Sequence, residues 1–371
     1  MKSCITFLLL SVTVAFAPVT IQTSPGNNGK LLFYIPKATV SSQDFRVVTT
    51  IPETEPPAPH TFAGQVERVL IDKYGESEIQ RILESWRLLE LEYEHRAFFG
   101  KEGEIDPQTS NCYQHAHSYV PGLSVKPFWD IKSLPWAEKL AKNYKTIRKE
   151  FDSVTSDMAR LTMEGNNIWA GALTEEAGGY GQGWSTLVLK DRGIWDETNC
   201  SLFPKTAQAV YKAGVPATEV FFASMKPNTS IKLHSDFTNF VLTSHLALII
   251  PENGKNKCRL TIGDETRQWI EGDVSVFDTS LMHDAINESN ETRYILMMRV
   301  WHPDLTEIER NALQTIYDCL EVPELTSSDE ATRNSAQQKI DSMRSFPQLQ
   351  SSSSGGFGGA KANTGKKRKR K

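Results

Sequence analysis

His245 to Phe277 reads HLALIIPENGKNKCRLTIGDETRQWIEGDVSVF. Four short apolar or β-prone runs lie in it: His245–Ile250, Cys258–Ile262, Arg267–Ile270 and Val274–Phe277. The turn-forming groups Glu252-Asn-Gly, Gly263-Asp-Glu and Glu271-Gly-Asp separate them. The same texture extends upstream through Ser185–Leu189 and Val220–Met225, and downstream to Tyr294–Val300. Lys226-Pro-Asn-Thr and Asn290-Glu-Thr are further separators. Runs this short and this regularly spaced predict antiparallel strands. The fold expected is therefore mainly β, a double-stranded β-helix (jelly-roll or cupin-like) core with flanking α-helices.

Helical spacing brackets this region. Val66, Val69, Leu70, Ile79, Ile82, Leu83, Trp86 and Leu89 recur at three- and four-residue steps between Phe62 and Phe99. Gly75-Glu76-Ser77 is expected to divide that stretch into two helices, with Ser77 capping the second. A loop carrying Cys112, His115 and His117 follows. Gly122–Trp129 reads as an extended approach, and Pro135–Phe151 as one amphipathic helix. Asp304–Leu320 is helical again, with Thr306 as N-cap and Glu309 completing a capping box.

The bulk properties are those of a globular protein: 371 residues, 39% hydrophobic and 23% charged. A net charge of −4 excludes a polyanion binder at the level of the whole chain, and no nucleic-acid partner is expected. Lys366 to Lys371 are nonetheless all basic, as a solvated end or as a nuclear or nucleic-acid contact. Five cysteines show no CxxC spacing, against a zinc ribbon. Outside the leader, Cys112, Cys200, Cys258 and Cys319 are compatible with two disulfides or with four buried thiols. Asn199, Asn228, Asn287 and Asn290 open glycosylation sequons.

Met1-Lys2, the apolar run Cys4–Val14 and Ala15-Phe16-Ala17 read as a signal peptide, too short to span a bilayer as a helix. A buried first element of the domain is the competing reading. Ala15-Phe16-Ala17-Pro18 and the acid-free stretch up to Asp44 resemble the bipartite presequence of algae with secondary plastids. The chain is thus expected to enter the secretory route, with a plastid or the endomembrane system as destination and no transmembrane span after processing. Residues 1–17 would be the signal peptide and 18–60 a transit peptide or linker ending in Pro52–Pro59. A helical N-terminal extension is assigned to 61–121 and the jelly-roll domain to 122–322. A helical extension follows at 323–345, then a disordered Ser/Gly-rich basic tail at 346–371.

His234-Ser235-Asp236 is an HxD motif ending a predicted strand, where residues i and i+2 share a face. His283 lies 47 residues after Asp236, beyond a further strand, and Arg293 ten residues after that. Two histidines and a carboxylate make the facial triad of non-haem iron(II) oxygenases, which leaves positions for a 2-oxo acid and dioxygen. An arginine on the next strand can grip the far carboxylate of 2-oxoglutarate bidentately.

The blocks His234-Ser-Asp-Phe-Thr-Asn, Ser244–Pro251, Glu265–Asp273, Val276–Ser280 and Val300–Thr306, in that order with His283 and Arg293, resemble the aspartyl/asparaginyl β-hydroxylase family. Leu134-Pro-Trp136, Trp184, Gly193 and Cys200 extend the resemblance, which covers roughly 122 to 320. It implies iron(II) on His234, Asp236 and His283, and the 5-carboxylate of 2-oxoglutarate on Arg293. It also implies His245 at the co-substrate's other carboxylate end, unless that residue is a core histidine. Trp269, Trp301 and His302 are read as packing residues. The implied function is an iron(II)/2-oxoglutarate-dependent dioxygenase that hydroxylates an aspartyl, asparaginyl or related substrate and releases succinate and CO2. A non-catalytic metal-binding jelly-roll module is the alternative. Animal members carry glycine where this chain has Asp236, and grip substrate with two arginines. Thr243 and Gly179 stand here, which leaves a peptide, a small molecule or a lipid-linked group open as substrate.

Overall fold

The computed structural model describes residues 45–101, 103–171, 183–251 and 256–349. The expected leader, most of the expected Ser/Gly-rich basic tail and Gly179 lie outside these. Within the N-terminal extension, α1 (Phe62–Tyr74) starts at Thr61, whose side chain accepts from Gly64 N. The second helix, α2 (Gln80–Glu90), is not capped by Ser77. Ser77 sits in a single 3-10 turn, and Ile79 occupies the N-cap without a side-chain hydrogen bond. The turn drops Ile79 into full burial instead. The helical reading also overran its end, because His95–Phe98 forms β1. The loop expected around His115 and His117 is a strand, β2 (Tyr113–Ser118), paired antiparallel with β1.

Pro135–Phe151 splits into α3 (Pro135–Ala141) and α4 (Tyr144–Thr155). Asn143 at the break donates its side-chain amide to Lys139 O, closing the first helix. After α5 (Met158–Glu164) come β3 (Ala170–Gly171), β4 (Trp184–Asp191) and β5 (Ile194–Trp195). Next are α6 (Glu197–Leu202) and α7 (Pro204–Ala213), whose first amides, Lys205 N and Thr206 N, are held by the Glu150 carboxylate.

The barrel then runs β6 (Ala217–Met225), β7 (Thr229–His234), β8 (Phe237–Thr238), β9 (Val241–Ile249), β10 (Cys258–Ile262) and β11 (Glu265–Gln268). It ends in β12 (Val274–Phe277), β13 (His283–Asn287) and β14 (Arg293–Trp301). The larger sheet has order β12-β9-β14-β6-β4-β3, with β5 on β4, and the smaller β11-β10-β13-β7. From β6 onward the chain crosses between sheets at almost every step, β6 large, β7 small, β9 large, β10 small, β12 large, β13 small, β14 large. That alternation makes the two sheets one double-stranded β-helix.

Side-chain alternation sorts the cores. Along β14, Leu296, Met298 and Val300 join the helices α3–α7 on the outer face of the large sheet. Ile295 and Met297 face inward, with Phe221, Ala247, Leu260 and Ala285, between the sheets. A third cluster joins α1 and α2 to α8 (Glu307–Glu321) and α9 (Glu330–Arg344). The capping box of Thr306 and Glu309 opens α8. Cys112, Cys200, Cys258 and Cys319 are buried and free, so the disulfide reading falls. Asn199 and Asn287 are fully buried, so neither can carry a glycan, whereas Asn228 and Asn290 are exposed. No helix among the described residues is long and apolar enough to cross a membrane.

Candidate metal and co-substrate site

The register of the small sheet sets His234, at the end of β7, directly across from His283, at the start of β13. Their rings lie 4.2 Å apart, centroid to centroid. Asp236 follows β7 and is fixed by its backbone N–H, which donates to Thr279 O in the β12–β13 connection. Thus the two chain segments bearing the three side chains are tied together. Asp236 Oδ1 lies 3.6 Å from His234 Nε2 and 4.0 Å from His283 Nε2. All three donor atoms fall within 4.8 Å of one another, and all three residues are buried.

The tautomers follow from the partners. His234 Nδ1 donates to Lys232 O and His283 Nδ1 to Leu281 O, each at 2.8 Å. A carbonyl can only accept, so the proton sits on Nδ1 and each Nε2 offers a lone pair toward Asp236. Burial, and then His234, push His283 down to about 3, which keeps it neutral. Burial opposes charge on Asp236, but Arg299 outweighs it and holds the carboxyl well below its ordinary range.

Arg299 is a residue that sequence reading missed. It lies on β14, in register with Thr243 and Glu219, and its Nη1 donates to Asp236 Oδ2. One carboxylate oxygen is therefore oriented by a guanidinium while the other faces both histidines. The signal available in sequence was its inward parity with Arg293, six residues earlier on one strand.

Arg293 is fully buried at the other end of the same inward row. Its guanidinium lies over the Trp269 ring, 4.1 Å from the centroid, and 5.7 Å from that of Trp184. Its Nε and Nη1 have no hydrogen-bond partner. Burial lowers it to about 10, so it stays charged at neutral pH. A buried cation with unused donors is costly unless an anion completes it. His245, on β9 and opposite Met297 of β14, lies between the two ends of the row. Its Nδ1 accepts from Trp269 Nε1 at 3.1 Å, so its proton is on Nε2, and that atom is buried without a partner. Burial, then Arg293, push His245 well below its usual value. The ring is a neutral donor aimed into the barrel. The reading as a satisfied core histidine does not fit it.

Trp269 was read as packing, and does more: it fixes the His245 tautomer and backs Arg293. His302 packs, as read, between Ser124 O and Asp304 N and against Trp129. Thr243 is buried and bonded to Thr279. Gly179 is outside the described residues.

A sequence profile described as aspartyl/asparaginyl beta-hydroxylase matches residues 141–303. This segment belongs to the aspartyl/asparaginyl β-hydroxylase family. The chain is 31% identical over 215 residues to the human aspartyl/asparaginyl beta-hydroxylase, 56% of this chain and 27% of that protein. It is 29% identical over 178 residues to the ornithine lipid ester-linked acyl 2-hydroxylase of Rhizobium tropici, 47% of this chain and 60% of that protein. The chain thus spans about a quarter of the human relative and under two thirds of the bacterial one. Among solved structures, a cupin domain of an XRE-family transcriptional regulator from Enterobacter cloacae aligns at 13% identity and TM-score 0.23. That alignment covers 32% of this chain and 98% of that one. The fold assignment rests on the strand order above.

Proposed function

We propose that the hydroxylase segment is an iron(II)- and 2-oxoglutarate-dependent dioxygenase. The observation that carries this is the pairing of two features in one barrel: a buried His/Asp/His cluster and, along the same inward row, a buried arginine with unused donors. The donor set fits the ion. Two imidazole nitrogens and one carboxylate oxygen suit iron(II), and atoms up to about 4.2 Å apart can share one ion at bonds of about 2.1 Å. With 2-oxoglutarate, iron(II) supplies the oxidation: the keto acid and O2 give succinate and CO2, and one oxygen atom enters a substrate C–H bond.

The chain's own residues do the rest. Arg293 holds the far carboxylate by charge-assisted bonds, and Trp184 and Trp269 wall off water around it. His245 donates Nε2–H to the co-substrate's other end. Arg299 keeps Asp236 ionised and turned so that Oδ1 faces the histidines. Lys232 O and Leu281 O accept from each Nδ1 and so turn each Nε2 toward the ion. The two relatives are named for different substrates, an aspartyl or asparaginyl group and a lipid acyl chain. What they share is hydroxylation of a C–H bond, and that is the reaction proposed for this chain.

The test is succinate formation by the full chain with iron(II), 2-oxoglutarate and air. His234→Ala and His283→Ala should each fall below about one hundredth of the wild-type rate. Wild-type succinate yield in either variant would refute the assignment.

A further inference from the structure

Outside the barrel stands a second group of metal-type donors. One carboxylate oxygen of Glu94 and one ring nitrogen each of His115 and His117 lie within 4.8 Å of one another. Register puts them there. His115 and His117 are two apart on β2 and share a face. His95 pairs with Ala116, which carries Glu94, the residue before β1, opposite His117. Glu94 Oε2 lies 3.6 Å from His115 Nε2, and Glu94 Oε1 3.7 Å from His117 Nδ1. Both gaps exceed a hydrogen bond, and both are within the span of about 4.2 Å that one bridging ion allows. His115 Nε2 is buried without a hydrogen-bond partner. Glu94 is 40% exposed, so an ion can reach the group from solvent. The opposing charge is Arg96, whose Nη2 donates to Glu94 Oε2 at 2.5 Å and leaves Oε1 toward His117.

We propose that Glu94, His115 and His117 form a second divalent-metal site. Its two imidazoles and one carboxylate are the set that takes zinc and neighbouring first-row ions. The site is separate from the His234/Asp236/His283 cluster and does not depend on the oxygenase reading. It is nevertheless wired to that cluster. Ser235 Oγ, inside the HxD motif, donates to His115 O at 2.5 Å, and His115 N donates to Ser280 O at 2.9 Å. Phe237 has a left-handed φ of 61° and packs edge-on against both rings, 5.0 Å from His115 and 4.7 Å from His117. An ion held by β1 and β2 would therefore fasten the N-terminal extension to the turn that presents Asp236.

The experiment is zinc stoichiometry on the metal-stripped full chain, by equilibrium dialysis and elemental analysis. Expected are two equivalents in the wild type and one in His283→Ala. Glu94→Gln and His117→Ala should likewise each hold one, and the His283→Ala/Glu94→Gln double variant none. Glu94→Gln alters a partly exposed group and covers the case in which His117→Ala fails to fold. Zinc should also raise Tm in His283→Ala but not in the double variant. A wild type that binds one equivalent and loses it in His283→Ala overturns the proposal, as does retention of two equivalents in Glu94→Gln.

Discussion

At the scale of a single residue, Arg293 is a buried cation for which no side chain among the described residues supplies an anion. Arg293→Met should raise KM for 2-oxoglutarate by about 30- to 1,000-fold, the loss of a charge-assisted bidentate pair, while iron binding stays near wild type. Steady-state succinate kinetics and iron content check the two halves. Arg299 makes a different prediction, because its partner is Asp236. Arg299→Met takes the guanidinium away from a buried carboxylate and should destabilise the metal-free protein by about 3–5 kcal/mol in denaturant unfolding. An added divalent ion should recover more Tm in this variant than in the wild type, since the ion replaces the missing charge. Asp278 supplies the pH dependence. Burial pushes its carboxyl up to about 7, against the bonds from Ser280. Between pH about 4 and 7 the folded state holds a proton that the unfolded chain has lost, so this group's stabilising share is full at low pH and fades as pH rises through 7. Asp278→Asn, which stays neutral, should lose less stability than the wild type between pH 4.5 and 7.5. Equal losses would show that Asp278 is ionised throughout.

Among elements, what the sequence disclosed depended on whether the signal was local. The capping box of α8 lies in four consecutive residues and was legible outright. Thr306→Ala should cost about 1 kcal/mol in unfolding free energy, without altering 2-oxoglutarate KM. The strands β10 and β12 carry their own apolar alternation and were read at their true limits. Polar β2, Tyr-Gln-His-Ala-His-Ser, has no such signature and reads in sequence as a loop. Its strand character comes from pairing with β1 and β8, a contact between distant segments. Short β13 is likewise made a strand by β10 and β7 on either side. Ser77 shows the converse: a good cap residue was set aside because burying Ile79 outweighs one hydrogen bond.

Across the whole molecule, motif order pointed to the segment that the family profile matches, and i, i+2 parity joined His234 to Asp236, while spacing added His283 and Arg293 and the resemblance added His245. Less visible was what each of these leans on. Trp269 looked like packing, and Arg299 was hidden in an apolar strand, because neither forms a motif and both matter only through the partners the fold brings to them. On the proposed reading, the His/Asp/His cluster and Arg293 act on one ion and one keto acid. Anaerobic addition of iron(II) and then 2-oxoglutarate tests it most directly, by the visible charge-transfer absorption of the chelate. The expected result is a band that needs both additions, saturates at one equivalent of 2-oxoglutarate, disappears in His283→Ala, and needs much more 2-oxoglutarate in Arg293→Met. A wild-type protein that binds iron yet gives no 2-oxoglutarate-dependent band, or a full band in His283→Ala, would contradict it.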